Sequence, residues 1–288
     1  MQPFWEKNLI LKVRSGSQAH GLATAESDYD SRGVCIPSKA YLLGLETFEQ
    51  HESEGGDHVI YALVKFVRLA LEGNPNLLET LFTEGDDILF LHPYGRRLVE
   101  QREVFLSQRV GERFGRYAIH QLTKLQRHYG WLTDPPDREP HPSDYGATPN
   151  EHGFDFPNAS VERQYRGEHK RWRSYLAWRA NRNKKRAKLE EEFGYDTKHA
   201  MHLCRLLKMG QEILATGRVQ VRRPDAAWLK EVRSGRFTYP ELVDWAGEQE
   251  GRLAELMATT HLPPEPDRHQ AEALVIELQE QALKDGFV

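Results

Sequence analysis

Short apolar runs fill the first third of the chain, and longer runs with helical spacing fill the rest. Residues 8–13 read NLILKV, a brief apolar stretch with a β-branched end, which predicts a strand. RSGSQAHGL follows as a Gly-Ser turn leading into a short helix, and TAESD is a polar turn. YDSRGVCIP alternates well enough for a second strand, ended by Pro37. Residues 38–56 are mixed: YLLGLETF suits a small hairpin or a helical turn, and HESEGG a turn. DHVIYAL reads as a third strand, with Val59 and Tyr61 on the face that carries Asp57.

Helical patterns then take over. Apolar residues at 63, 66, 67, 70 and 71 make one buried stripe, closed by Gly73. NPNLLETLF follows, with Asn74 placed as an N-cap and Pro75 at the first helical position. Further helices are predicted over 94–107, 110–131, 160–193, 196–215, 225–233, 239–257 and 268–284. Residues 133–158 hold six prolines and no periodic apolar pattern, so they read as a long surface loop that is either a lid or an exposed insertion. The expected fold class is α+β: a small α/β core over 1–108, then a mainly helical domain over 109–288.

Composition narrows the class. The 288 residues carry 39 Lys and Arg against 43 Asp and Glu, with 39% apolar and 10% aromatic positions. Such a chain is too aromatic for disorder and too polar for a membrane bundle. No run approaches the roughly 18 apolar residues of a membrane span, and MQPFWEKNLILKVRSGS lacks the apolar core of a signal peptide. Cys35 and Cys204 are isolated, which gives neither a disulfide framework nor a zinc site. A soluble cytoplasmic protein is expected.

The chemistry concentrates in SGSQAHGLATAESDYDSRGV. A helix N-terminus presents unpaired N–H groups and a positive dipole end, which suit phosphate oxygens. Gly16 allows close approach there, and Ser17 adds a hydroxyl. Asp28 and Asp30, two apart in an extended segment, share a face about 7 Å apart. Paired carboxylates repel unless a cation lies between them, and Mg²⁺ (or Mn²⁺) with phosphate oxygens is the natural occupant. A phosphate cradle beside a carboxylate-held metal equips a site for phosphoryl or nucleotidyl transfer. Arg32 continues the aspartate face and would touch a phosphate or pair with an aspartate. Asp57 is the preferred third carboxylate, with Glu52 and Glu54 as rivals.

These motifs resemble the DNA polymerase β-type nucleotidyltransferases, and more narrowly the predicted nucleotidyltransferases called RlaP. Three blocks carry the resemblance: GSQAHGLATAESDYDSRGV, DHVIYALVKFVRLALEGNPNLLETLF and YDTKHAMHLCRLLKMGQEIL, in that order. The resemblance implies a palm-like core of mixed sheet and helices, a nucleoside triphosphate donor and a divalent metal. It places metal binding and catalysis on Asp28, Asp30 and Asp57, and phosphate contacts on Gly16 and Ser17. D-Y-D-S-R departs from the wider superfamily, where an apolar residue often follows the second aspartate. That departure fits the narrower family and leaves the metal pair intact.

Two further features bear on substrates. In KHAMHLCRLLKMG, Lys198, His202 and Arg205 fall on one helical stripe, either facing the triphosphate or forming the wet side of an amphipathic helix. His199 and His202 have metal-ligand spacing, but no cluster completes a zinc set. Lys65 and Asn74 are weaker candidates. Residues 161–188 hold eleven Lys or Arg against two Glu, interleaved with Trp172, Tyr175 and Trp178. Such a segment either contacts single-stranded nucleic acid, through Arg171 and Lys185 among others, or is a solvated helix with Trp172, Tyr175 and Leu176 packed inward. The expected function is NMP transfer from an NTP to a hydroxyl, with an RNA 3′ end as the favoured acceptor. The alternatives are transfer to a protein side chain or a small molecule, and a non-catalytic nucleotide- or nucleic-acid-binding protein.

Overall fold

A computed structural model describes residues 3–25 and 27–288, apart from the Lys185 side chain. Glu26 of the expected TAESD turn lies outside the described residues. The first part of the chain runs α1 (Phe4–Lys7), β1 (Leu9–Ser15), α2 (Gly16–Ala19), β2 (Asp30–Cys35), α3 (Lys39–Leu43), β3 (Gln50–Glu52) and β4 (His58–Ala62). It continues with α4 (Leu63–Leu71), α5 (Pro75–Phe82), β5 (Ile88–Leu91) and α6 (Pro93–Glu100). The five strands form one mixed sheet in the order β3-β4-β2-β1-β5. β2 and β4 are parallel, and the other neighbours are antiparallel.

Alternation decides which side of this sheet is packed. Leu11, Val13, Val34, Val59 and Tyr61 point into the core, where α4 and α5 cover them. Helix α4 buries Leu63, Phe66, Val67 and Ala70 of the stripe read from sequence, while Leu71 is half-buried. Asn74 caps α5 by accepting from the Asn76 amide at 3.0 Å, with Pro75 at the first helical position. Lys12, Arg14 and His58 lie on the opposite face of the sheet.

The remaining elements are α7 (Arg109–Thr133), β6 (Thr148–Asn150), β7 (Gly153–Asp155), α8 (Ala159–Ala180), α9 (Lys184–Phe193), α10 (Thr197–Thr216), α11 (Ala226–Arg233), α12 (Tyr239–Thr259) and α13 (Arg268–Lys284). The centre of this half is α10, packed chiefly on α7 and α12. Gly210 makes that approach possible, since a Cβ there would meet Phe114 Cβ at 3.0 Å and Leu253 Cδ1 at 3.2 Å. One hydrophobic cluster runs from the sheet through α5 into these helices, across the expected boundary near residue 108. Among the described residues, no helix is long and apolar enough to cross a membrane.

Several expectations are corrected. The single helix over 160–193 is two, because Asn side chains compete for backbone groups between them. Asn181 Nδ2 donates to Ala177 O at 2.9 Å, and Asn183 Oδ1 accepts from the Arg186 amide at 3.3 Å. The helix over 94–107 stops at Glu100 and gives way to a 3₁₀ turn at Arg102–Phe105. HESEGG begins in edge strand β3 rather than a turn, and β5 is a second unanticipated edge strand. The proline-rich segment holds a 3₁₀ turn at Pro142–Tyr145 and the β6–β7 hairpin. On α8, Trp172, Tyr175 and Trp178 are half-buried, whereas Leu176 is 41% exposed.

Candidate active site

The site begins where β1 ends. Ser15 pairs with Asp30 across the β1–β2 ladder, and the chain then turns at Gly16 with φ +62°. A Cβ on Gly16 would lie 2.1 Å from Asp30 Oδ2, so the missing side chain leaves the space that the carboxylate occupies. The short helix α2 starts at this turn, and its first amides lack intrahelical acceptors by construction. His20 closes α2 and is buried: its Nδ1 lies 3.1 Å from Val221 O, and its Nε2 lies 3.4 Å from Glu79 Oε2. Burial, reinforced by the Arg205 charge, pushes its pKa down to about 4.

Asp30 is the first residue of β2 and is half-buried, whereas Asp28 stands exposed on the extended lead-in. The parallel register aligns Ser31 with His58, and the Ser31 amide donates to Asp57 O at 2.9 Å. Asp57 therefore lies beside Asp30, immediately before the neighbouring strand β4. Burial pushes the Asp30 carboxyl above its ordinary range, and the charges of Asp57 and Asp28 push it further, against the pull of Arg32 and Lys198. Glu52 accepts from Gln50 Nε2 at 3.2 Å, and Glu54 is exposed in the following turn. Among the described residues, no group of three His, Cys, Asp or Glu side chains is already closed into a metal cage. The chemistry of the donors still suits a hard cation, because the carboxylates of Asp28 and Asp57 both act on the raised Asp30 carboxyl and all three offer only oxygen.

A cavity of about 540 Å³ opens in front of Asp30. One side is formed by Gly16, Ser17, Asp28 and Asp30; the other by Arg186 and Lys188 of α9, Lys198 and His202 of α10, and Arg233 at the end of α11. Asp196 caps α10, accepting from the Lys198 and His199 amides at 2.9 and 3.1 Å. Arg186 reaches Asp196 Oδ2 at 3.4 Å and donates to His199 Nε2. Nδ1 of His199 lies 2.7 Å from Gln121 Oε1. That pairing defines a neutral ring, with Nδ1 as donor and Nε2 as acceptor. Burial and the Arg186 charge push its pKa down to about 3. Burial also lowers the Lys198 ammonium, as do the Arg186 and Arg233 charges, against the pull of Asp28 and Asp196.

The structure thus gathers Gly16, Ser17, Asp28, Asp30, Lys198 and His202 around one cavity and sets Asp57 just outside it. Arg32 and Arg205 are placed elsewhere. Arg32 lines a small neighbouring crevice that shares Gly16 with the cavity and also holds Asn76, Glu79 and Thr80, from where its charge still acts on Asp30. Arg205, further along the α10 stripe, is buried and ion-paired to Glu79, because the stripe runs from the cavity into the core. Lys65 is held by Glu49 at 2.8 Å, and Asn74 serves as a cap. Arg171 lies on α8, away from the cavity, 3.7 Å from Glu168 and 3.9 Å from Asp134; the Lys185 side chain is outside the described residues. The sequence reading missed Arg186, Lys188 and Arg233 as cavity residues. The signal for the first two was the basic tract RNKKRAK, whose position in space depends on the break before α9; Arg233, at the end of α11, carried none.

A small mixed sheet with helices, followed by a mainly helical region, is consistent with the core of a polymerase β-like nucleotidyltransferase. Residues 3–133 match the family described as RlaP: RNA repair pathway DNA polymerase beta family. The match takes in the first two sequence blocks, and the third, on α10, lies beyond it. No curated protein matches the chain.

Proposed function

We propose that the protein is a divalent-metal-dependent nucleotidyltransferase that moves an NMP from an NTP to a hydroxyl, with an RNA 3′ end as the acceptor. The observation that carries this reading is the cavity itself: carboxylates and a glycine turn face a wall of four Lys and Arg side chains across one space. In this reading the α2 amides and Ser17 hold the triphosphate, with Lys198, Arg186, Lys188 and Arg233 neutralising it from the helical side. Asp28, Asp30 and Asp57 would hold Mg²⁺ or Mn²⁺, which supplies charge neutralisation at the α-phosphate and acidifies the attacking hydroxyl. Asp57 lies toward the acceptor and stands ready to take the hydroxyl proton. The acceptor oxygen forms a bond to the α-phosphorus, the bond to the bridging oxygen breaks, and pyrophosphate leaves with that electron pair. The family description, which names RNA repair, supports RNA as acceptor.

The test is incubation with each labelled NTP, Mg²⁺ or Mn²⁺, and separate pools of RNA, protein and small hydroxyl compounds. Label should move to RNA and disappear with Asp30→Ala. Transfer to protein or small molecules would replace the acceptor, and NTP binding without transfer to any pool would overturn the enzyme reading.

A further inference from the structure

Tyr29 stands between the two aspartates yet points the other way. It is 48% exposed, and its ring centroid lies 6.2 Å from that of His58, the residue after Asp57. Ser31 Oγ and His58 Nδ1 are hydrogen-bonded at 2.9 Å, which fixes the imidazole on the same sheet face. The Arg14 guanidinium sits 5.7 Å from the Tyr29 ring centroid and is ion-paired at 3.2 Å to Asp87, a carboxylate that Arg222 also neutralises at 2.8 Å. Two residues back along β1 is Lys12, paired across the strand with Phe90, itself 43% exposed on edge strand β5. His58, Tyr29, Arg14, Lys12 and Phe90 thus form a diagonal band of rings and cations on the face opposite the core.

We infer that this band is the platform on which a single-stranded nucleic-acid acceptor lies, its terminal base on Tyr29 and His58 and its upstream backbone along Arg14 and Lys12 toward Phe90. The inference rests on the nucleotidyltransferase reading for its direction. The donor cavity includes Asp28 and Asp30 but not Asp57, Tyr29 or His58, which leaves the β4 side of Asp30 for an acceptor. Rings that stack bases and cations that meet phosphates are what sequence-tolerant strand binding requires. Two strand spacings across and four residues along separate Tyr29 from Phe90 by about 16 Å, room for a short run of bases. The basic helix α8 meets the requirement less well. Its Tyr175 and Trp178 pack on Trp131 of α7, with ring centroids 6.1 and 5.3 Å away, and the cations following it on α9 line the donor cavity.

The experiment is fluorescence anisotropy of a 5′-labelled 12-nucleotide RNA, with the DNA counterpart as a second arm, beside titration of an NTP analogue. Tyr29→Ala and Phe90→Ala should each weaken RNA binding about 5- to 100-fold. Tyr29→Phe should bind like wild type, and Lys12→Ala should flatten the salt dependence. Phe90→Ala should leave NTP affinity unchanged, and thermal melts will confirm that these exposed positions do not unfold the chain. Equal RNA affinity for wild type, Tyr29→Ala and Phe90→Ala overturns the platform, as does a loss confined to Lys170→Glu and Arg171→Glu on α8. Wild-type protein that binds the NTP analogue but not the RNA also overturns it. Ring-dependent RNA binding in a protein that transfers no nucleotide would sustain the platform while removing the enzymatic reading.

Discussion

Replacing Gly16 with alanine tests the junction between donor cradle and carboxylates more directly than removing a charge. The residue sits at φ +62°, a conformation that costs an L-residue about 1–2 kcal/mol. The new methyl would stand 2.1 Å from Asp30 Oδ2 and 3.0 Å from its Cγ. That is more than about 1 Å inside a van der Waals contact, so the carboxylate must swing away or the turn must open. The backbone term alone predicts a melting temperature only a few degrees lower. The catalytic effect should be larger, since a misplacement of about 1 Å at a reacting centre costs on the order of 100-fold. Steady-state kcat/KM with the acceptor found in the labelled screen, read beside the melt, separates the two. A double-mutant cycle read by thermal melts isolates the clash with the carboxylate: in an Asp30→Ala background, Gly16→Ala should lose the backbone term and a tight 3.3 Å contact with the remaining Cβ, but not the 2.1 Å overlap. Transfer within threefold of wild type by Gly16→Ala would show that Asp30 need not occupy the space beside the glycine, and the site geometry argued above would fail.

Lys198→Ala should raise KM for the NTP about 10- to 100-fold with a smaller effect on kcat, as expected for a charge-assisted contact to the triphosphate; equal KM values in initial-rate assays would detach α10 from the donor. Stability should fall on acidification. His20 and His199 are buried with folded pKa values near 4 and 3, below the roughly 6.5 of the unfolded chain. The unfolded state therefore binds more protons as pH drops below 6.5, and unfolding becomes easier down to those folded values. Urea titrations at pH 7.5 and 5.0 should differ by a few kcal/mol, and His199→Gln should reduce that difference; a flat profile would mean that these rings are not buried neutral.

The fold was legible wherever local pattern suffices. The apolar run of β1, the alternation of DHVIYAL, the stripe of α4 and the Asn74-Pro75 cap are all encoded by near neighbours. Edge strands β3 and β5 were not, because QHE and ILFL are too short to show a period and owe their pairing to strands distant in sequence. The break between α8 and α9 turns on two asparagine side chains that outcompete the helix locally, an effect that composition hides.

The same division runs through the site. The order of residues alone set Gly16, Ser17, Asp28 and Asp30 close together, because a strand, a turn and a strand hold them within one stretch of chain. Only the tertiary structure decided that Asp57 stands beside Asp30, that Lys198 and His202 face the cavity while Arg205 is buried with Glu79, and that Arg186, Lys188 and Arg233 complete the wall. Backbone periodicity records which side a residue faces. What it faces is decided by long-range packing, here the seating of α10 on α7 and the sheet, which no local spacing contains.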